Sequence, residues 1–328
     1  MKAALLLVIF VICGGAAILS QMSAPAFPTA EISNARIRAT LHLPDARTGY
    51  YRGTRFDWSG AIASLTWNGH EYFGVWFEKH DPKIHDAITG PVEEFLTGDA
   101  GLGYAEAAPG GTFVRIGVGV LRKPTEPAFR RFETYDIVDT GKWTVNRSAD
   151  HIEFVHELTG PSGYAYVYRK RLRLVRDSLV IEHRLKNTGT KPIVTSVYNH
   201  NFFTLDRRTT GPGLVVRFGF TPRATRPLNE LAEVRGNDVA FVKEFQPRQT
   251  LFTEIEGFGP TAQDNDFRIE NRTTGAGVHI KGDKPLQKVY FWTAEKTSCP
   301  EPYIDVSVEA GKESSWTITY EFYSAAKS

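Results

Sequence analysis

A period-two alternation of apolar and polar residues runs through much of this chain and constrains its fold more than any other feature. From Trp316 to Phe322, every second residue is isoleucine or aromatic and the residues between are polar. The stretches Leu179–Leu185 and Val114–Val120 alternate similarly, the second with arginine and glycine in between. Because successive side chains of a strand point to opposite faces, each stretch predicts one strand with a single buried face.

The rest of the sequence adds strands and turns but little helix. Gly163–Val175 is too rich in β-branched and aromatic residues for a helix, and Asn187–Pro192 is typical of a turn between strands. Only Pro227–Val234 predicts a short helical segment. The regular alternation of strands and helices that a parallel sheet requires is missing. We therefore predict an all-β fold, a large antiparallel sandwich.

Composition excludes several classes of protein. The chain has 328 residues, 41% of them hydrophobic and 23% charged, which argues against disorder throughout. Its net charge is +2, without a dense stripe of lysine and arginine, so no nucleic-acid partner is expected. Aromatic residues make up 12%, a share that suits strands and sugar-stacking surfaces alike. Since the sequence shows no linker or repeat, residues 25–328 are predicted to form a single domain.

The N-terminal segment is interpreted as a targeting signal. Lys2 precedes the uncharged apolar run Ala3–Leu19, and small residues follow it. This pattern predicts a secretory signal peptide in residues 1–24, with an uncertain cleavage site and no membrane contact after cleavage. The mature protein would be exported, either to the periplasm or out of the cell. A retained anchor or a lipoprotein is the alternative, although 17 residues is short for a spanning helix.

Motifs of cofactor and metal chemistry are missing from the sequence. It contains no glycine-rich phosphate loop, no HExxH, no GxSxG and no CxxC pair. After removal of the signal peptide only Cys299 remains, so no intrachain disulfide is possible. The polar stretch His80–Glu94 is interpreted mainly as a solvated loop, with pocket lining and metal binding as alternatives. We predict neither a cofactor nor a metal.

Two segments carry a resemblance to a known family. Tyr198–Leu205 (YNHNFFTL) resembles the Asn-His-Ser-Tyr-Phe-Asn-Leu signature of the aldose 1-epimerases, the galactose mutarotase family. Cys299–Pro302 (CPEP) is similar to the family's C-terminal Cys-Leu-Glu-Pro motif, and Gly60–Gly69 resembles its early hairpin. The order of these segments matches from about Tyr50 to the end. The resemblance implies a β-supersandwich of the galactose mutarotase-like type that binds carbohydrate.

The resemblance also implies a reaction and a catalytic pair. Mutarotation opens a hemiacetal ring, which needs a base for the anomeric hydroxyl and an acid for the ring oxygen. The family motifs assign His200 as the acid and Glu301 as the base. We expect both side chains to face one cavity, on either side of a single sugar ring. Since prolines flank Glu301, we expect it to lie at a bend rather than within a strand.

The substrate-binding residues are less constrained by the resemblance. The family's first-half segment with a substrate-binding histidine has no counterpart here, and Gly90–Phe95 carries Glu93 and Glu94 instead. We expect these two glutamates to line the cavity in its place. The remaining candidates for substrate binding are Arg55, Asn199, Phe202 and Tyr303. The expected partner is a monosaccharide or the end of a glycan.

Two other functions stay open. One is carbohydrate binding without catalysis. The other is an exported glycan lyase or hydrolase on the same fold, and a hydrolase needs two carboxylates at the scissile bond. Glu301 together with Glu93 or Glu94 would supply them. The sequence does not name the sugar or the oligomeric state.

Overall fold

The computed structural model describes residues 27–98, 100–125 and 128–327. The predicted signal peptide, residues 1–24, lies outside them. The described residues form strands joined by loops and three short 3₁₀ turns, at Pro161–Gly163, Leu205–Arg207 and Ala262–Asp264. In this part of the chain, no helix is both long enough and apolar enough to cross a membrane.

The strands are numbered in chain order. The first nine are β1 (Thr29–Ser33), β2 (Ile37–His42), β3 (Ile62–Trp67), β4 (His70–Phe73), β5 (Val92–Leu96), β6 (Thr112–Arg115), β7 (Gly119–Arg122), β8 (Ile137–Asp139) and β9 (Lys142–Arg147). The next seven are β10 (His151–Thr159), β11 (Ala165–Val175), β12 (Ser178–Asn187), β13 (Ile193–His200), β14 (Leu214–Phe218), β15 (Arg223–Ala224) and β16 (Ala232–Arg235). The last seven are β17 (Asp238–Phe241), β18 (Thr250–Glu256), β19 (Asp266–Asn271), β20 (Ala276–Gly282), β21 (Lys288–Ala294), β22 (Thr297–Val308) and β23 (Glu313–Ser324).

Two large antiparallel sheets dominate the architecture. The larger has the order β16-β17-β14-β19-β20-β23-β12-β11-β10-β9, and the smaller has the order β15-β18-β21-β22-β13-β5. A four-stranded sheet, β1-β2-β3-β4, and a three-stranded sheet, β6-β7-β8, complete the described part. This arrangement is the predicted all-β antiparallel sandwich.

The main core lies between the large sheets and follows from the alternation in the sequence. Ile181 of β12 and Ile318 of β23 are paired in the ten-stranded sheet, and both are buried. They belong to one apolar cluster with Val289 and Phe291 of β21 in the six-stranded sheet. Burial of such side chains contributes about 1.5–3 kcal/mol each, which stabilises the packing of the two sheets.

Two local predictions are wrong. Val114–Val120 is a tight β6–β7 hairpin rather than one strand, with Gly117 at φ 78° in its turn. A Cβ at Gly117 would come within 2.7 Å of Asp57, so glycine is required there for space as well as for backbone conformation. Pro227–Val234 contains no helix and leads into β16 through turns.

Glu301 also lies differently from the sequence expectation. It is inside β22, not at a bend, with a proline on each side. Pairing between β13 and β22 ends at Tyr198 opposite Tyr303, so on the β13 side both prolines lie beyond the last paired residues, while on the other side they pair with β21. The side-chain amide of Asn201 donates instead to the carbonyl of Pro300, at 2.7 Å. A strand tolerates proline where no partner strand needs its missing N–H.

Candidate active site

A cavity of about 410 Å³ lies on the face of the six-stranded sheet that points away from the ten-stranded sheet. Strands β13, β18, β21 and β22 form its floor. Segments from the N-terminal half of the chain supply the remaining walls. Its lining residues are Arg55, His85, Asp86, Arg131, Phe132, His200, Phe202, Phe252, Tyr290, Trp292 and Glu301.

Strand register brings His200 and Glu301 together on this floor. Tyr198 and Tyr303 are directly paired between β13 and β22. His200 lies two residues after Tyr198, and Glu301 lies two residues before Tyr303, so the antiparallel alternation places all four on one face. His200 Nε2 and Glu301 Oε1 are 3.2 Å apart, and both side chains are about 5% exposed. The two residues named by the family motifs therefore meet in one cavity.

The imidazole of His200 is held mainly by aromatic contacts. It stacks on Phe202 with ring centroids 3.7 Å apart and an interplanar angle of 10°. Trp292 approaches it edge-on at 5.5 Å. Among the described residues, Nδ1 of His200 has no hydrogen-bond partner. Stacking thus fixes the ring plane, while Nε2 lies 3.2 Å from Oε1 of Glu301.

Burial sets the protonation of the pair. It raises the pKa of Glu301 to about 8, even though Arg55 and Arg131 act to lower it. It also holds the pKa of His200 well below its usual 6.5, and the same two arginines add to that effect. Glu301 is consequently protonated at neutral pH and His200 is neutral. This distribution favours Glu301 as the acid and His200 as the base, the reverse of the assignment implied by the resemblance.

The direct contact also changes the expected pose of a sugar. We expected the two side chains to lie on either side of a sugar ring, but no ring fits between groups 3.2 Å apart. A sugar must instead present one edge to both. The anomeric hydroxyl and the ring oxygen are bonded to the same carbon, so a contacting acid and base reach both from one side.

Beside the cavity, on the same face of the sheet, Glu94 binds three arginines. Its carboxylate accepts hydrogen bonds from Arg55 Nε at 2.9 Å, Arg115 Nη2 at 3.0 Å and Arg131 Nη2 at 2.7 Å, and from the Tyr198 hydroxyl at 2.6 Å. Although burial acts to raise it, these guanidinium groups hold the pKa of Glu94 well below its usual range. Glu94 is fully buried and does not line the cavity itself, contrary to expectation. It positions Arg55 and Arg131, which do.

Glu93 points the opposite way, into the sandwich interior. It pairs with Lys170 of β11 and contacts His183 Nε2 at 2.8 Å. The amide of Asn199 donates to it at 3.0 Å. Burial acts to raise the pKa of Glu93, but Lys170 and His183 lower it to about 2. Glu93 and Asn199, both expected to bind substrate, therefore tie the six-stranded sheet to the ten-stranded sheet away from the cavity.

Of the other candidate residues, two line the cavity and one is buried next to it. Arg55 and Phe202 line the cavity as expected. Tyr303 is fully buried beside it, stacked on Tyr198 at 4.1 Å. Its hydroxyl accepts a hydrogen bond from Arg131 at 3.3 Å.

Several lining residues are not predicted by the sequence, or are predicted without a role. Arg131 and Phe132 come from a loop without a recognisable motif, and the sequence offers no signal for them. His85 and Asp86 belong to the polar stretch for which pocket lining was one alternative. Phe252 lies on β18 and Tyr290 on β21, and strand alternation alone does not show which cavity their face borders. Within the described ranges, no group of three His, Cys, Asp or Glu side chains is arranged to hold a metal ion.

Known proteins resemble this chain in structure rather than in sequence. No family model matches the chain, and no curated protein matches it in sequence. Several solved structures do match, over almost the whole length of both chains. An aldose epimerase homologue from C. elegans is 15% identical, with a TM-score of 0.53, over 91% of this chain and 99% of that one. The chain has the galactose mutarotase-like fold.

Other solved structures agree with this result. A galactose mutarotase-like protein from Clostridium acetobutylicum is 13% identical, with a TM-score of 0.55, over 90% of this chain and 94% of that one. A galactose mutarotase related enzyme from Lactobacillus acidophilus is 15% identical, with a TM-score of 0.52, over 91% and 98%. These matches confirm the galactose mutarotase-like sandwich predicted from the sequence. At such identities they concern the fold.

Proposed function

We propose that this galactose mutarotase-like protein interconverts the anomers of a sugar, as aldose 1-epimerases do. The observation that carries the proposal is the contact between His200 Nε2 and Glu301 Oε1, 3.2 Å apart on the floor of the cavity. Burial favours a protonated carboxyl group and a neutral imidazole there. An acid and a base in contact, without a further cofactor, are sufficient for this reaction.

The proposed steps balance within the pair. Neutral His200 takes the proton of the anomeric hydroxyl while Glu301 gives its proton to the ring oxygen, and the bond between that oxygen and C1 breaks. The open chain turns about its C1–C2 bond and exposes the other face of the aldehyde. The hydroxyl then attacks C1 and returns its proton to Glu301, while His200 gives its proton to the carbonyl oxygen. Each group ends in its starting state.

The rest of the lining suits a carbohydrate. Trp292 and the partly exposed Phe252 offer apolar ring faces of the kind that pack against the C–H groups of a sugar. Arg55 and Arg131 offer hydrogen-bond donors for its oxygens. A volume of about 410 Å³ is within the range of small-ligand sites.

Polarimetry or NMR on a freshly dissolved pure anomer tests the proposal. The protein should accelerate anomer interconversion over the uncatalysed rate. Glu301→Gln and His200→Asn should each lower the acceleration by about 10²–10⁴-fold, the usual worth of one acid–base group. His151→Asn is a matched control, because His151 lies on β10 and contacts Asp150. Sugar binding without any acceleration would instead favour the non-catalytic alternative.

The glycan hydrolase alternative requires a second carboxylate in the cavity. Glu94 is held by three arginines, and Glu93 faces the sandwich interior. Asp86 is the other carboxylate of the lining. Cleavage of a glycan that is abolished by Asp86→Asn would support a hydrolase and contradict the isomerase proposal.

A further inference from the structure

Two arginines line the cavity against one ionised carboxylate of the lining, Asp86, because burial keeps Glu301 protonated at neutral pH. Arg55 and Arg131 both line it, and both share the single carboxylate of Glu94 with Arg115. One carboxylate thus faces three guanidinium groups. Burying excess charge of one sign is costly unless a counter-charge is present.

The two arginines that line the cavity do not use all of their N–H donors in hydrogen bonds within the protein. Arg55 uses Nε for Glu94 and Nη2 for the Tyr198 hydroxyl. Arg131 uses Nε and Nη2 for Glu94, and Nη2 also reaches Tyr198 and Tyr303. A guanidinium group has five N–H donors, so Nη1 of each arginine keeps two for a ligand. Neither arginine forms an ion pair with Glu301, whose partner among the described residues is His200.

Two further cations lie beside the aromatic wall. The guanidinium of Arg226 lies 5.1 Å from the ring centre of Phe252, and Lys288 Nζ lies 4.8 Å from that of Tyr290. Phe252 and Tyr290 both line the cavity. In the described part of the chain, neither cation forms an ion pair with a carboxylate. The field from these groups adds to that of Arg55 and Arg131 and favours an anion in the cavity.

From this arrangement we propose that the ligand is an anionic sugar, one that carries a carboxylate or a phosphate group. The proposal rests on the proposed sugar-isomerase function and narrows its substrate class. Planar guanidinium groups with free N–H donors match the oxygens of either anion. The sugar ring then lies toward His200 and Glu301, and its charged substituent lies against Nη1 of Arg55 and Arg131. A neutral hexose would leave these donors to hydroxyl groups alone.

Matched sugars that differ only in charge test the proposal. Titration calorimetry at low salt would compare D-glucose with D-glucuronate and D-glucose 6-phosphate, and D-galactose with D-galacturonate. NMR exchange measurements on the same sugars would give the rates of anomer interconversion. We expect at least one anionic sugar to bind about 10-fold or more tightly than its neutral counterpart, and this preference to decline with added salt. If the uronates bind more tightly than the neutral sugars, the anion is a carboxylate. If glucose 6-phosphate does, the anion is a phosphate.

Variants locate the effect. Arg131→Gln should lower the ratio of anionic to neutral sugar affinity by about 10–100-fold, the usual cost of a lost charge-assisted hydrogen bond. Glu94 would retain Arg55, Arg115 and Tyr198, so folding should survive, and a thermal melt checks this. Arg131→Lys should restore part of the preference. Arg217→Gln removes the same charge from an exposed pair with Asp238 and should change nothing.

The outcomes separate this proposal from the proposed function. Equal affinity for matched neutral and anionic sugars would overturn it, as would inorganic phosphate that binds as tightly as the sugar phosphate. Acceleration of neutral anomers alone would leave the isomerase function standing and refute the anionic substrate. Tight binding of an anionic sugar without acceleration would support the ligand class and refute the isomerase function.

Discussion

Replacing Glu94 with glutamine removes one negative charge and leaves the shape of the side chain almost unchanged. In the wild type this fully buried carboxylate binds Arg55, Arg115 and Arg131. Arg115 is 2% exposed and Arg55 is 8% exposed, so water cannot replace the lost partner. We therefore expect Glu94→Gln to lower both the stability of the fold and its affinity for sugar.

The size of the effect follows from this burial. Breaking a buried ion pair by removal of one partner costs about 3–5 kcal/mol. A cooperative unit of about 300 residues has an unfolding entropy near 0.6 kcal/mol/K, so this loss lowers Tm by roughly 5–8 °C. Glu71→Gln is the matched control, since Glu71 forms an exposed pair with Arg207. Its Tm should stay within about 1–2 °C of the wild type.

Thermal melts of both proteins from pH 7 down to pH 3 provide the assay. The pKa of Glu94 is depressed in the folded state, so its contribution to stability is complete above the unfolded pKa of about 4.5. That contribution declines as the pH falls below this value, because the unfolded chain then binds a proton that the folded carboxylate does not. The Tm difference between wild type and Glu94→Gln should therefore shrink with acidification. A Tm unchanged at pH 7, or a difference that grows in acid, would refute the reasoning.

The remaining predictions concern activity and binding. The rate of anomer interconversion should fall as the pH rises through about 8, because Glu301 then loses the proton that it must donate; a fall centred near 6.5 would instead return the acid role to His200. In acid, activity should persist to well below pH 6.5, since burial keeps His200 neutral. Phe252→Ala should weaken sugar binding by about 2–10-fold in calorimetry. Because Phe252 is 38% exposed, its Tm should hardly change, and unchanged affinity would remove it from the binding surface.

The sequence predicted strands well where one face of the strand is buried and the other is exposed to solvent. The alternation in Leu179–Leu185 and Trp316–Phe322 marks β12 and β23, which pair in the ten-stranded sheet. It failed at Val114–Val120, where the apparent polar positions are Gly117 and Gly119, both with positive φ. A glycine counts as neutral in such a pattern, although here it bends the chain back on itself.

Two features limited the prediction of the site: which face of its strand each residue occupies, and how the loops pack over the sheet. The motifs located His200 and Glu301, which meet in the cavity. Asn199 neighbours His200 within β13, so the two must point to opposite faces, and the sequence already contained that information. For Glu93 and Glu94 the same rule allows only one to face the cavity side, but it does not say which. Arg131 depends on how a loop packs over the sheet, which no local pattern records.

The cavity draws its two kinds of function from separate stretches of the chain. The acid–base pair lies on β13 and β22, inside a sheet whose other face is anchored by Glu93 to the ten-stranded sheet. Arg55 and Arg131, which would determine ligand specificity, lie on segments between strands in the first half of the chain. Loops accept substitution and insertion more readily than paired strands do. A new ligand preference can therefore evolve, or be engineered, through substitutions in the N-terminal loops that leave the acid–base pair on β13 and β22 unchanged.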